Sequence, residues 1–116
     1  MNSLLAELTA ILDALSIPTE TGVFKSNVPD MYVVITPLSD TFDTYADNRP
    51  LREIQEARIS LFSKQNYRAC ANRIVKALLG ADITVTDRRY LGYEEESDYH
   101  SYAVDAAKHY ELEEEE

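Results

Sequence analysis

The sequence predicts an α+β domain in which one β-sheet, antiparallel or mixed, carries two α-helices packed on the same face. Two apolar stripes with the three- and four-residue spacing of a helix, near residues 3–16 and 66–79, predict the helices. The stretches between and after them alternate apolar and polar side chains with the two-residue period of strands. Because several strand segments follow one another without an intervening helix, antiparallel pairing is favoured over a parallel sheet with helical crossovers.

Length and charge set the broad class of the protein. The chain has 116 residues, 45% of them hydrophobic, and a single cysteine, which suits one globular domain without an internal disulfide bond. The net charge is −10, and residues 91–116, with ten acidic residues and one lysine, carry −9 of it. This charge disfavours binding to nucleic acid or to an anionic membrane, and no apolar run reaches the roughly 20 residues that span a bilayer. We expect residues 1–112 to fold as one domain and residues 113–116 to form a disordered acidic tail.

The first half of the chain predicts one helix followed by strands. Pro18 is expected to stop the first helix, because the residue before a proline is pushed out of helical geometry. A short strand at residues 23–26 and a strand at residues 31–38 follow. The second of these is apolar on both sides, with Met31, Val33 and Ile35 on one and Tyr32 and Val34 on the other. The helix stripe consists of Leu4, Leu5, Leu8, Ile11, Leu12 and Leu15.

The remaining elements are a polar hairpin, a clear strand, a second helix and two further strands. The hairpin tip is predicted at residues 47–50. The strand after it turns Ala57, Ile59 and Leu61 towards the helices. Gly80 is expected to end the second helix, and residues 88–98 are predicted to be a loop before the last strand. The stripe of the second helix consists of Tyr67, Cys70, Ala71, Ile74, Val75 and Leu78.

No catalytic or metal-binding constellation is predicted, so the sequence favours a protein that is not an enzyme and needs no cofactor. The glycine-rich phosphate loop, the G-x-S-x-G elbow and the H-E-x-x-H motif are all missing. His100 and His109 are nine residues apart in one predicted strand, which places them on opposite faces. Asp40, Asp43 and Asp47 lack the spacing of a calcium loop and fit turns instead. Cys70 belongs to an apolar stripe, where a thiol is inert.

Six residues are predicted to contact another subunit or a partner protein. Tyr32 and Val34 lie on the side of a strand that two helices on the other face cannot cover, so a neighbouring subunit would cover them. Lys64, Arg68, Arg73 and Lys76 form a predicted basic strip on the exposed side of the second helix. Such a strip is either an ordinary solvated helix face or a docking surface for an acidic segment.

Three stretches of the sequence resemble a known class of proteins. They are RISLFSKQNYRACANRIVKALL, the strand DITVTD and the final YHSYAVDAAKHYELEE. In the order of their secondary-structure elements and in their amino-acid sequence, they resemble small morphogenesis proteins of long-tailed phages and prophages. The group they resemble is that of the tail terminator and head-to-tail joining proteins. The order of the elements is similar over most of residues 1–112, whereas the amino-acid sequence is similar over the second half of the chain only.

The resemblance implies a structural protein of the virion with a tail-terminator-like fold. Such a protein forms a homo-hexameric ring on the end of the tail tube, and its partners are the tail tube protein and the head connector or head-completion protein. It would act at the head–tail junction and reside in the bacterial cytoplasm during assembly. We expect the isolated chain to be largely monomeric, without membrane or sequence-specific nucleic-acid binding. The alternative is a small cytosolic enzyme or regulator with a site around Asp98, Tyr99 and His100.

Overall fold

A computed structural model describes residues 3–21, 28–46 and 49–111 of the chain. In chain order these residues form helix α1 (Leu4–Ala14), strands β1 (Thr19–Thr21), β2 (Met31–Ala46) and β3 (Arg49–Ser63), helix α2 (Tyr67–Gly80), and strands β4 (Thr84–Glu94) and β5 (Tyr99–Glu111). The strands make one sheet in the order β1-β2-β3-β5-β4. The β1–β2 pair is parallel and the other three pairs are antiparallel. The predicted α+β class, with one mixed sheet and two helices, is confirmed.

The core lies between the helices and one face of the sheet, which we call the helix face. The paired residues Ile35, Ile59 and Val104 of β2, β3 and β5 are fully buried at its centre. Leu8 of α1 and Ile74 of α2 are equally buried and belong to the same cluster. The predicted stripes therefore face the sheet side by side. Neither of the described helices covers the opposite side of the sheet, which we call the outer face.

Both helices end in the same way, and the reason differs from the predicted one. α1 ends at Ala14, where the Ser16 and Ile17 amides donate to the carbonyls of Asp13 and Leu12 at 3.0 Å each. This is a Schellman motif, with Ser16 in the left-handed region at φ 61°. The motif recurs after α2, with Asp82 at φ 61° and the Ile83 amide donating to the Leu78 carbonyl at 3.0 Å. Gly80 is thus the last helical residue rather than the stop, and Pro18 lies beyond the end of α1.

The end of β4 corrects the predicted loop at residues 88–98. Residues Arg88–Glu94 continue β4 and pair with β5, so only the four residues 95–98 turn the chain. Two register shifts interrupt this pairing, between Val85 and Asp87 and between Tyr90 and Gly92. Each shift breaks the apolar–polar alternation, which hid the strand in the sequence. Gly92 has φ 135°, a backbone conformation that other residues rarely adopt.

The β2–β3 hairpin sets the length of the molecule. Its strands have 16 and 15 residues, and at about 3.3 Å per residue the longer one spans roughly 50 Å. The longest extent of the protein is 54 Å, against 25 and 23 Å in the other directions. Asp40 and Asp43 lie within β2 rather than in turns, which corrects that prediction. Of the hairpin tip predicted at residues 47–50, residues 49 and 50 belong to β3. Residues 47 and 48, the predicted strand at 23–26 and the tail at 113–116 lie outside the described residues.

Polar contacts fix α1 to the sheet at the end nearest the hairpin. The Leu4 amide at the start of α1 donates to Gln55 Oε1 of β3 at 2.7 Å. Glu7 accepts a hydrogen bond from Lys108 Nζ at 2.8 Å and another from the Tyr110 hydroxyl, both on β5. Burial of Glu7 would raise its pKa, but the two hydrogen bonds and the charge of Lys108 outweigh it, so the pKa is lowered. The contact of Leu4 joins residues 51 apart in the chain, and those of Glu7 join residues 101 and 103 apart.

Candidate subunit interface

Tyr32 and Val34 lie on the outer face, as predicted, but side chains of the same chain already pack beside Tyr32. The Tyr32 ring stacks on Phe62 with centroids 4.9 Å apart and meets the edge of Tyr99 at 5.4 Å. Val34 is 9% exposed and Tyr32 is half-buried. We call Tyr32, Phe62 and Tyr99 the outer aromatic cluster. It reduces the apolar surface that a partner would have to cover, and a subunit contact through Tyr32 and Val34 stays a prediction.

Lys64 does not belong to α2, because it precedes the helix and turns towards the outer face. Its Nζ lies 5.0 Å from the centre of the Tyr99 ring and 3.9 Å from Asp30 Oδ1. The Tyr99 hydroxyl in turn donates to the Pro29 carbonyl at 2.5 Å. Lys64 is therefore part of the surroundings of the outer aromatic cluster.

The other members of the predicted basic strip lie on α2 but point in different directions. Arg73 lies on the flank of α2 nearest α1, and its Nη2 donates to the Leu15 carbonyl at 2.9 Å. This places a positive charge at the negative end of the α1 dipole. Arg68 is five residues away, on the other flank, with its guanidinium carbon 5.8 Å from the Tyr67 ring centre. Lys76 is exposed between them. A five-residue step rotates by about 140° around a helix, so these three charges spread over a wide arc of the exposed side of α2, and their contact with a partner stays a prediction.

The middle of the outer face is polar. Arg58 of β3 and Asp105 of β5 are directly paired and make two hydrogen bonds, at 2.8 and 3.0 Å. The hydrogen bonds and the charge of Asp105 raise the pKa of Arg58. A two-pronged pair of this kind between neighbouring strands stabilises their register.

A second aromatic cluster, on the helix face, was not predicted. The Tyr67 ring at the start of α2 lies 5.2–5.7 Å from the rings of Tyr90, His100 and Tyr102. The Tyr90 hydroxyl is 3.0 Å from His100 Nδ1, and the Tyr93 ring is 4.8 Å from His100. Tyr90 and Tyr93 belong to the segment that had been predicted as a loop. Their aromatic character was the signal for a strand in that polar stretch.

The alternative site at Asp98, Tyr99 and His100 does not come together. Tyr99 and His100 are neighbours in β5, so their side chains point to opposite faces of the sheet. Asp98 accepts a hydrogen bond from Tyr93, which raises the pKa of that phenol and so leaves less phenolate to act as a base. Tyr93 is also 47% exposed, so nothing shields this arrangement from water.

The remaining candidates for chemistry lie where they cannot act together. His100 pairs with Ser63 and His109 with Ile54, which puts the two histidines on opposite faces as predicted. Cys70 is buried in the core, and burial raises the pKa of its thiol. Across residues 3–21, 28–46 and 49–111, no three His, Cys, Asp or Glu side chains gather in a group that could hold a metal ion. Within the same ranges, neither helix has the length and apolar character that crossing a bilayer requires.

Exposed apolar side chains are concentrated on β2 and β4. Leu38 and Phe42 on β2 are 45% and 59% exposed, and Leu91 on β4 is 53% exposed. Together with Tyr90 and Tyr93 they are five of the seven large apolar side chains exposed in the described part of the chain. Sequence reasoning missed them because both segments are rich in polar residues. The exposed apolar side chains are therefore concentrated along the two edges of the sheet rather than on α2.

Comparison with known proteins finds a similar fold in a solved virion structure. No protein-family profile matches the sequence, and no curated protein is significantly similar to it. Among solved structures, a chain of one titled "Virion of native gene transfer agent (GTA) particle" has the same fold, with a TM-score of 0.54. The superposition covers 96% of this chain and 87% of that chain, at 17% sequence identity. The chain therefore shares its complete α+β fold with a component of a virion particle.

Proposed function

We propose that this chain is a structural protein of a phage-type virion, acting as a tail terminator or head–tail joining component. The observation that carries the proposal is the fold match to a virion chain over nearly the full length of both proteins. The resemblance of the second half of the sequence to tail terminator and joining proteins points to the same place in the particle. In this role the protein forms a homo-hexameric ring on the end of the tail tube and contacts the tail tube protein and the head connector.

The surface of the domain fits an assembly role better than a catalytic one. Most of its exposed large apolar side chains lie along the two edges of the sheet, on β2 and β4, where another protein chain can cover them. The polar side chains that the sequence offered for chemistry are divided between the two faces of the sheet or paired within the chain. A role that depends on contact surfaces uses the first feature and does not need the second.

Removal of the gene from the prophage or phage that carries it tests the proposal. We expect electron micrographs of the particles to show tails of irregular, excessive length, or tails without heads, and we expect the full chain supplied in trans to restore normal particles. Overlong tails assign the terminator role, whereas tails of normal length beside unattached heads assign the joining role. Normal, infectious particles in the absence of the protein would refute both.

A further inference from the structure

The sheet has two long open edges. β1 pairs with β2 over Val33–Ile35 alone, so the outer edge of β2 from Thr36 to Ala46 has no strand beside it within the described residues. At the other side of the sheet, the described strands pair with β4 only through β5. Counted over the described part of the chain, each free edge is 11 residues long. Such an edge presents unpaired backbone amide and carbonyl groups that can pair with another chain.

The two edges also match in their side chains. Asp40 and Phe42 of β2 pair with Gln55 and Glu53 of β3, and alternation along β3 places all of them on the helix face. Arg88 of β4 pairs with the buried Val104 and so lies on the helix face as well. Neither Asp40 nor Arg88 makes an ion pair with another described residue. Asp40 on the β2 edge and Arg88 on the β4 edge thus carry opposite charges, and each edge also has exposed apolar side chains.

The strand directions allow one copy to continue the sheet of the next. β2 runs antiparallel to β3, β3 to β5, and β5 to β4, so β2 and β4 run in opposite directions. If β4 of one copy lies beside β2 of the next copy in the same orientation, the new pair is antiparallel like its neighbours. An antiparallel pair is the more stable arrangement per residue.

The middles of the two edges are offset from each other along the strand direction, and this offset is of the size that a closed ring of strands needs. Arg89, near the middle of β4, lies level with Ser60 of β3 through Ala103, whereas Thr41, in the middle of the free β2 edge, pairs with Ile54. The two levels are six residues of β3 apart, which is about 20 Å along the strands. Measured across the strands, the four strands together are about 19 Å wide. The ratio corresponds to a strand tilt of about 45°, close to the 35–45° of closed sheets.

We infer that the free edge of β2 in one copy of this chain pairs with the edge of β4 in the next copy, so that the sheet continues from subunit to subunit. The contact is head-to-tail, and head-to-tail contacts close into rings when the rotation between copies permits it. The inference rests on the proposed function for the ring, and it names the strands that join the copies. The shifts in register near Leu38 and Leu91 restrict which edges fit, which protects an isolated chain from indiscriminate pairing.

Exchange of the two edge charges tests the contact on the full-length protein in concentrated solution. We expect Asp40→Arg and Arg88→Asp each to weaken self-association by about tenfold, because a cross-strand attraction becomes a repulsion. An equal mixture of the two variants should recover it, since each altered edge then meets an opposite charge on the other variant. Asp13→Arg, which makes the same charge change as Asp40→Arg on the exposed side of α1, is the control and should have little effect. A mixture no better than its components, or an equal loss from Asp13→Arg, would overturn the inference.

Cysteine cross-linking gives a second readout that does not depend on charge. In a Cys70→Ala background, Phe42→Cys and Leu91→Cys place thiols on opposite edges at side chains that are more than half exposed. With a short bismaleimide, a chain with both changes should yield a ladder of oligomers, while the two single variants should link only when mixed. A Leu91→Cys variant that links to itself as readily, or no product in concentrated solution and on particles, would refute edge pairing.

Work on particles separates the inference from the proposed function. If the protein is present on tail ends but the double-cysteine chain yields no ladder there, the function stands and the edge contact fails. If the ladder forms in solution but particles without the protein are normal, the contact stands and the proposed function fails.

Discussion

Replacement of Ile59 or Ile74 by alanine tests the central feature of the fold, the packing of α2 against the sheet. Both side chains are fully buried. Ile59 is in the middle of β3, between its partners Ile35 and Val104, and Ile74 faces the sheet from α2. Each change removes three carbon atoms from a place where the surrounding strands and helix can collapse only in part.

We expect each substitution to reduce the free energy of unfolding by about 2–5 kcal/mol, as is usual for an isoleucine in a closed core. A domain of this size has a total stability of roughly 5–15 kcal/mol, so either variant loses a large fraction of it. At roughly 4 °C per kcal/mol, the melting temperature should fall by about 8–20 °C.

Urea denaturation followed by circular dichroism measures the effect as a lower midpoint with an unchanged slope. Leu79→Ala is the matched control, because Leu79 is on the same helix and 58% exposed, and its removal should change stability by less than about 0.5 kcal/mol. A loss below about half a kilocalorie at both Ile59 and Ile74, or a loss at Leu79 as large as theirs, would refute this assignment of the core.

Three further predictions concern the backbone, pH and the acidic segment. Gly92→Ala should destabilise the protein by about 1–3 kcal/mol, because φ is 135° at this position, although no atom lies within 4 Å of the added carbon. Gly80→Ala, in the helix, should instead stabilise the protein by up to about 1 kcal/mol. Chemical denaturation of the two variants measures both effects. Because the pKa of Glu7 is lowered in the folded protein, its carboxylate contributes fully to stability above the usual pKa of 4.5, and this contribution is lost as pH falls through the lower pKa of the folded state. Glu7→Gln should therefore flatten this part of the curve of stability against pH. An unchanged curve would contradict the prediction. Deletion of residues 113–116 should promote self-association without changing the fold, because acidic segments repel within a Debye length of about 8 Å, and added salt should help the full-length chain to associate. Sedimentation at two salt concentrations measures the last effect, and a ring that forms at low salt but falls apart after the deletion would show instead that the segment is a docking element.

The sequence by itself determined the two helices, the side of each that is buried and the central strands. Leu4, Leu8 and Leu12 recur at helical spacing, and Ala57, Ile59 and Leu61 alternate, so these patterns are readable from neighbours in the chain. The cap of α2 is equally local, since Asn66 accepts a hydrogen bond from the Ala69 amide only three residues away.

The tertiary structure alone decided which strands pair, where β4 ends and which charges share a surface. Arg88 and Tyr90 are in a strand because β5 pairs with them despite two shifts in register, which no local pattern records. Lys64 and Arg73 are close in sequence, but one reaches the Tyr99 ring and the other the Leu15 carbonyl. Both contacts involve elements distant in the chain. The candidate interface depends in the same way on pairings between distant strands, because a strand edge is free only when the rest of the sheet leaves it uncovered.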